Sequence, residues 1–343
     1  MYGWNQRSPE MLRVIFCCLI VLSLSAGCLR TNPREVVVYA ALDKEFSEPL
    51  LEEFGKQTGV KVLGKYDVES NKTVGLANEI IANSSRPRGD IFWNNEILHT
   101  LRLEKLGLLE TYRSPLAEKY PPQFVSKEGR WHGFAARARV LIINRKLLPD
   151  QSAWPAEFAE LANPRWKGKC GMARPLFGTT ATHAAVLFAQ LGDELATDFF
   201  KQVAENAVIE SGNKQVAQHV AEGRYAWGVT DTDDAVIEIE AGKDVALVFP
   251  DQGSQGTLLI PNTLAIIKGG PNAESARKLV DWLLRSETEV QLAKGASAQI
   301  PLNREVTERS RVAPQDLKVM EVDFVAAAEK WESAQRVLVE IFR

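Results

Sequence analysis

Three carboxylates crowd one short stretch: Asp231, Asp233 and Asp234 follow the run Tyr225 to Val229. Like charges held that close repel one another. Either a cation neutralises the cluster, or backbone N–H groups at a helix start share its charge, and Ala235 to Ile239 has the composition of such a helix. The stretch Gly178 to Thr182 offers the opposite chemistry. Its free N–H groups and hydroxyls could hold an anion, or its threonines could serve as ordinary caps. Asn94, Asn95 and Glu96 follow another apolar run, with Asn95 expected to face a ligand and Glu96 to act as a first-turn acid. Arg137 and Arg139 could clamp a carboxylate or phosphonate, or pair with nearby acids. Asn262, beside Pro261, completes the candidate ligand-binding set.

Catalysis finds little support in the residue pattern. His99, His132, His183 and His219 show no paired spacing of a zinc site. Ser211-Gly212-Asn213-Lys214 fits a Ser-x-x-Lys pattern without its companion motifs, and Asp231-Thr232-Asp233 is not the Asp-Thr-Gly of aspartic proteases. Nucleophile elbows, phosphate-binding loops and dinucleotide fingerprints are absent from the sequence. These features point to a binding protein and not to an enzyme. A formal net charge of -3 gives no basic field for nucleic acid.

The elements that must position these residues alternate between strand and helix. Val36 to Tyr39 reads as a buried strand, and Phe46, Leu50, Leu51 and Phe54 lie on one face of a helix that Gly59 can stop. Val60 to Leu63, a helix from Val74 to Ile81, a strand from Asp90 to Trp93 and a helix from Ile97 to Leu106 repeat the pattern. Val140 to Asn144, Gly171 to Arg174 and Tyr225 to Val229 supply further strands, and Gly256 to Ile267 is two apolar stretches that Pro261 should interrupt. The alternation predicts an α/β protein with a mostly parallel sheet and ligand-receiving loops at the carboxyl ends of its strands. At 343 residues the chain suits two lobes, with residues 35–135 and 264–343 in the first and 136–263 in the second. Crossings near Ala135 to Arg139 and Pro261 to Thr263 would form a two-strand hinge.

The N-terminus reads as an export signal. Arg7 and Arg13 precede an apolar run from Val14 to Leu24, too short to span a bilayer permanently. Leu24-Ser25-Ala26-Gly27-Cys28 looks like a lipobox, so residues 1–28 are expected to form a lipoprotein signal ending at a lipidated Cys28, with 29–34 as a tether. Cys170 would then be the one free thiol of the mature body, which leaves no partner for an internal disulfide.

Five separated stretches carry a family resemblance: Val36 to Asp43, Gly89 to Glu96, Ala136 to Asn144, Asn163 to Lys169, and Ile260 to Thr263. Together they resemble the ferric-iron-binding branch of the type II periplasmic binding proteins. The resemblance implies a two-lobed clamp on the periplasmic or cell-surface side, working as a monomer with an ABC permease in the inner membrane. The family's adjacent tyrosine ligands fall at Asp233 and Asp234, and its histidine and glutamate ligands fall near Asp43 and Asn95. The scaffold is thus kept while the ligand set is replaced. An oxygen-rich set of Asp43, Asn95, Asp233 and Asp234 suits a hard cation such as ferric iron, with positions left for water or an anion. The metal would be cargo, with no obligatory cofactor. The alternative is an organic anion, a phosphonate or carboxylate, gripped by Thr179, Thr180 and an arginine.

Overall fold

The computed structural model describes residues 35–42, 44–66, 74–307 and 310–343. The expected signal segment with Cys28, the tether and Asp43 lie outside the described residues.

β1 (Glu35–Ala40) buries Val36, Val38 and Ala40 completely, as its continuous apolar run requires. It pairs in parallel with β2 (Lys61–Tyr66) on one side and β3 (Ile91–Asn94) on the other. Connecting helices cover this sheet. α1 (Lys44–Thr58) buries Leu50, Leu51 and Phe54 and ends at Gly59, whose φ of 71° a side chain would resist. α2 (Val74–Ala82) and α3 (Leu98–Lys105) follow.

β4 (His132–Asn144) is the organising strand: all thirteen of its residues are buried. Its first part runs antiparallel to β9 (Leu259–Ile266), which also pairs with β3. Its last part runs antiparallel to β7 (Trp227–Asp231) and β8 (Val245–Val248). β5 (Cys170–Ala173) lies parallel to both β7 and β6 (Val208–Glu210). The strand path is therefore β2-β1-β3-β9-β4-β7-β5-β6, with β8 beside β4. Parallel pairs occupy the two flanks, and the expectation of a mostly parallel sheet fails only at the centre, where the crossing strands are antiparallel.

The second flank carries α4 (Gly178–Leu191), α5 (Asp193–Asn206), α6 (Asn213–Ala221) and α7 (Thr232–Glu240). After β9 come α8 (Ala273–Leu283), α9 (Ser286–Lys294) and α10 (Phe324–Ile341).

One expectation needs correction. Pro261 does not split its stretch, because β9 is continuous through it. Ala136, opposite Pro261, turns its N–H and C=O to Ile300 at 2.8 and 2.7 Å, so the missing proline N–H leaves no gap in the ladder. The C-terminal helix α10 touches helices of both flanks. Phe324, Ala327, Trp331, Ala334 and Leu338 form an apolar stripe on α10 that packs on α4 and α5 as well as on α3. Phe342 meets Phe200 of α5 edge-on at 6.2 Å.

Candidate ligand-binding cleft

β5, β6 and β7 are parallel, so the helices that follow them start at the same sheet edge. The first turns of α4, α6 and α7 thereby converge on one cavity. Three helix starts bring unpaired backbone N–H groups and partial positive charge to one place. Gly178 opens α4 with a φ of 58°, in the left-handed region that a side chain would resist.

A buried network forms the cavity floor. Arg139, with a fully buried side chain, donates to Asp231 at 2.6 Å, to Thr179 at 3.2 Å and to Thr180 at 3.2 Å. The second oxygen of Asp231 accepts from the Thr179 hydroxyl at 2.5 Å and from Asn213 Nδ2 at 3.0 Å. Thr180 donates to Asn213 Oδ1 at 3.0 Å. The network ties β4, β7, α4 and α6 together and engages both oxygens of Asp231, so removing either partner of this buried ion pair would leave an uncompensated charge. Of the two roles open to Arg139, the structure gives it pairing with an acid.

The cavity wall carries the groups with ligand-facing capacity. Asp233 lies 3.5 Å from Arg137 Nη2, and Asp234 accepts from Thr230 Oγ1 at 3.5 Å. Oxygens of Asp231, Asp233 and Asp234 lie within 4.8 Å of one another. Asn95 reaches the same cavity from the end of β3; it is only 4% exposed, and its Oδ1 has no hydrogen-bond partner among the described residues. A buried carbonyl oxygen left so is costly unless a ligand answers it. Thus Asn95, Arg137, Thr179, Thr180, Asp231, Asp233 and Asp234 share one cavity.

Asn94 and Asn262 do not line it. Asn94 donates to Glu96 at 2.8 Å and to Thr100 at 3.1 Å, fixing the start of α3. Asn262 donates to the Ala135 carbonyl and, at 2.8 Å, to Gln299 Oε1, which places it in the crossing between β4 and β9. Both are buried amides held by structural partners; Asn262 Oδ1 lacks a hydrogen-bond partner among the described residues, as Asn95 Oδ1 does, but only Asn95 lines the cavity. Glu96 lies ahead of α3 and not in its first turn, where it was expected, and accepts from the N–H groups of Leu98 at 2.5 Å and His99 at 3.1 Å. It also accepts from Thr182 of α4 at 3.0 Å.

Sequence reasoning missed part of the lining. Arg174 and Lys214 stand exposed at the cavity, and Ser211, Gly212 and Asn213 form the start of α6. The signal is present: Ser211 and Gly212 join β6 to α6 at a carboxyl edge, where an open α/β sheet receives ligands. None of the four histidines lines the cavity. Burial, then the charge of Arg139, holds the His183 imidazole well below its usual range, and burial holds His132 down at about 4.

The family of bacterial extracellular solute-binding proteins matches residues 100–327. The chain belongs to it. Iron uptake protein A1 of Synechocystis is 24% identical to this solute-binding protein over 291 residues, 80% of this chain and 79% of the relative. Apo ferric ion-binding protein A of Pasteurella haemolytica superposes with a TM-score of 0.80 at 20% identity, covering 90% of this chain and 98% of that one. AfuA from Actinobacillus pleuropneumoniae, solved with fructose-6-phosphate, superposes with a TM-score of 0.76 at 24% identity over 89% and 97%. The fold is that of the two-lobed periplasmic binding proteins, and the crossing strands β4 and β9 stand where the two-strand hinge was expected. Members of this family bind solutes outside the cytoplasm for transport and are not enzymes. No described helix is long and apolar enough to cross a membrane.

Proposed function

We propose that this solute-binding protein is the receptor of an ABC importer, anchored by lipid on Cys28, and that its cleft captures a hard cation, ferric iron, together with an oxyanion. One observation carries the reading. The carboxylate cluster of Asp231, Asp233 and Asp234 and the unanswered Oδ1 of Asn95 line a single cavity with three helix starts. Asp233, Asp234 and Asn95 would supply oxygen ligands, with Asp43 as a further ligand outside the described residues. Asp231 would act through the floor network, since Arg139, Thr179 and Asn213 already engage it. The N–H groups at the starts of α4 and α6 would hold the anion. Iron uptake protein A1 and the Pasteurella protein, named for iron, support the choice of cation.

A second reading rests on Arg137, Arg174 and Lys214 in the same lining. Three cations beside helix starts favour an organic phosphate or phosphonate, whose amine or hydroxyls would then meet Asp233 and Asp234. AfuA, with its sugar phosphate, supports this alternative.

Calorimetric titration with ferric citrate and with 2-aminoethylphosphonate separates the two. On the metal reading, the double substitution Asp233→Asn and Asp234→Asn abolishes ferric binding, a loss of about 100-fold or more. Undiminished ferric affinity in that variant would refute it. On the second reading the phosphonate binds the wild type, and ferric citrate releases no heat. Elemental analysis of the protein as purified provides an independent check.

A further inference from the structure

β4 carries an irregularity two residues before the cleft. Its register against β9 shifts between Phe134 and Ala136, leaving Ala135 as an extra residue with a φ of 40°. A left-handed alanine is unfavourable by itself and persists only where its surroundings fix it. They do so here through both of its backbone groups. The Ala135 N–H donates to Glu289 Oε1 at 2.6 Å, and its carbonyl accepts from Asn262. Glu289, on α9, is 1% exposed and has no lysine or arginine within ion-pair distance among the described residues. Its oxygens instead accept from the N–H groups of Leu302, at 3.0 and 3.1 Å, and Asn303, at 2.6 Å. One buried carboxylate thus gathers the bulge and the 302–303 segment, while the adjacent Ala136 exchanges both backbone bonds with Ile300. Bulges of this kind re-aim the side chains that follow them. The residues that follow are Arg137, beside Asp233 in the cleft, and Arg139, which holds the cleft floor.

We propose that Glu289 is the positioning residue of the hinge: by pinning the Ala135 bulge to the 302–303 segment, it fixes the point about which the two flanks of the sheet turn and the aim of Arg137 into the cleft. The inference rests on the reading of this cavity as a solute cleft that closes by hinge motion. It concerns a residue outside the cleft that touches no solute.

Hydrogen exchange of the full chain, followed by mass spectrometry, tests the clamp without any ligand. In Glu289→Gln, which keeps the side-chain shape but loses an acceptor, amides at 134–137 and 300–303 are expected to exchange about tenfold faster, while β1 and β5 keep wild-type rates. Unchanged exchange at the bulge, or an equal rise in every strand, would overturn the proposal. The pair Glu289→Gln with Ala135→Gly separates positioning from strain relief, because glycine accepts the left-handed φ unaided. The pair is expected to recover part of the melting temperature while exchange at the bulge stays fast. Recovery of slow exchange by glycine alone would reduce Glu289 to a strain-relieving contact and defeat the idea. With ferric citrate as probe, Glu289→Gln is expected to release the metal about fivefold or more faster than wild type. Failure of the wild type to bind that probe counts against the metal reading and leaves the exchange result to judge the clamp.

Discussion

At the scale of single residues, the cleft shows how similar side chains receive different work. Asn94 and Asn95 are neighbours, yet the first is held by Glu96 and Thr100 while the second keeps a free oxygen in the cavity. Asn94 is the last residue of β3 and Asn95 the first beyond it, and only tertiary neighbours decide which of the two meets the cleft. Away from the site, Asp251 offers a test of burial against charge. Burial pushes its carboxyl up to about 6, with Glu157 adding to the rise and the Phe158 N–H opposing it. An acid with a raised folded-state pKa holds its proton longer when folded than when unfolded. Its stabilising contribution is therefore full at low pH and is lost as pH climbs from about 4 through about 6. Asp251→Asn removes that loss, and asparagine also tolerates the residue's φ of 63°. Scanning calorimetry should find the variant melting a few degrees above wild type at pH 8 and converging with it near pH 4. Parallel curves across that range would show that Asp251 does not ionise as described.

At the scale of elements, three parallel strands place three helix starts together, and close backbone packing keeps them there. Gly171 of β5 lies so near Tyr225 that an added methyl would sit 2.4 Å from the ring. Gly171→Ala should cost about 1–3 kcal/mol, read as a lower denaturation midpoint with an unchanged slope. A neutral result would mean that the Tyr225 ring moves freely. The strands and helices themselves were legible in the sequence, since β-branched runs and helical apolar stripes mark β1, β3, β7, α1 and α8 from local pattern alone. The site was legible in part. Asp233, Asp234, Thr179 and Thr180 stood out as polar groups at strand ends, but Arg174 and Asn213 did not, because nothing local distinguishes a cleft-facing cation or cap from a surface one. Pro261 misled because its tolerance depends on Ala136, 125 positions away in sequence, bonding elsewhere. The docking of α10 was hidden for the same reason: an amphipathic stripe declares a buried face without naming its partner.

At the scale of the whole molecule, Asn95 approaches the cavity from β3 while Asp233 approaches from β7, on opposite sides of the crossing strands. A solute that touches both gains contacts only when the sides draw together, so binding shifts the population toward a closed form. Small-angle X-ray scattering should record a smaller radius of gyration at saturating solute, and calorimetry should record a melting point that climbs with solute concentration. At a hundredfold excess over the dissociation constant, the added stability is about 2.7 kcal/mol. An unaltered scattering profile under saturation would describe a rigid cleft. The long strand β4 serves both sides at once, and this bears on how the chain can evolve. Loss or gain of one residue between Ala136 and Arg139 would swap the outward and inward faces of all that follows, putting the Arg139 guanidinium on the face that Ala138 and Val140 now occupy. Natural variants should therefore differ in length at the surface turns and keep this span at constant length, a ruler written into the backbone whatever solute the rim residues come to prefer.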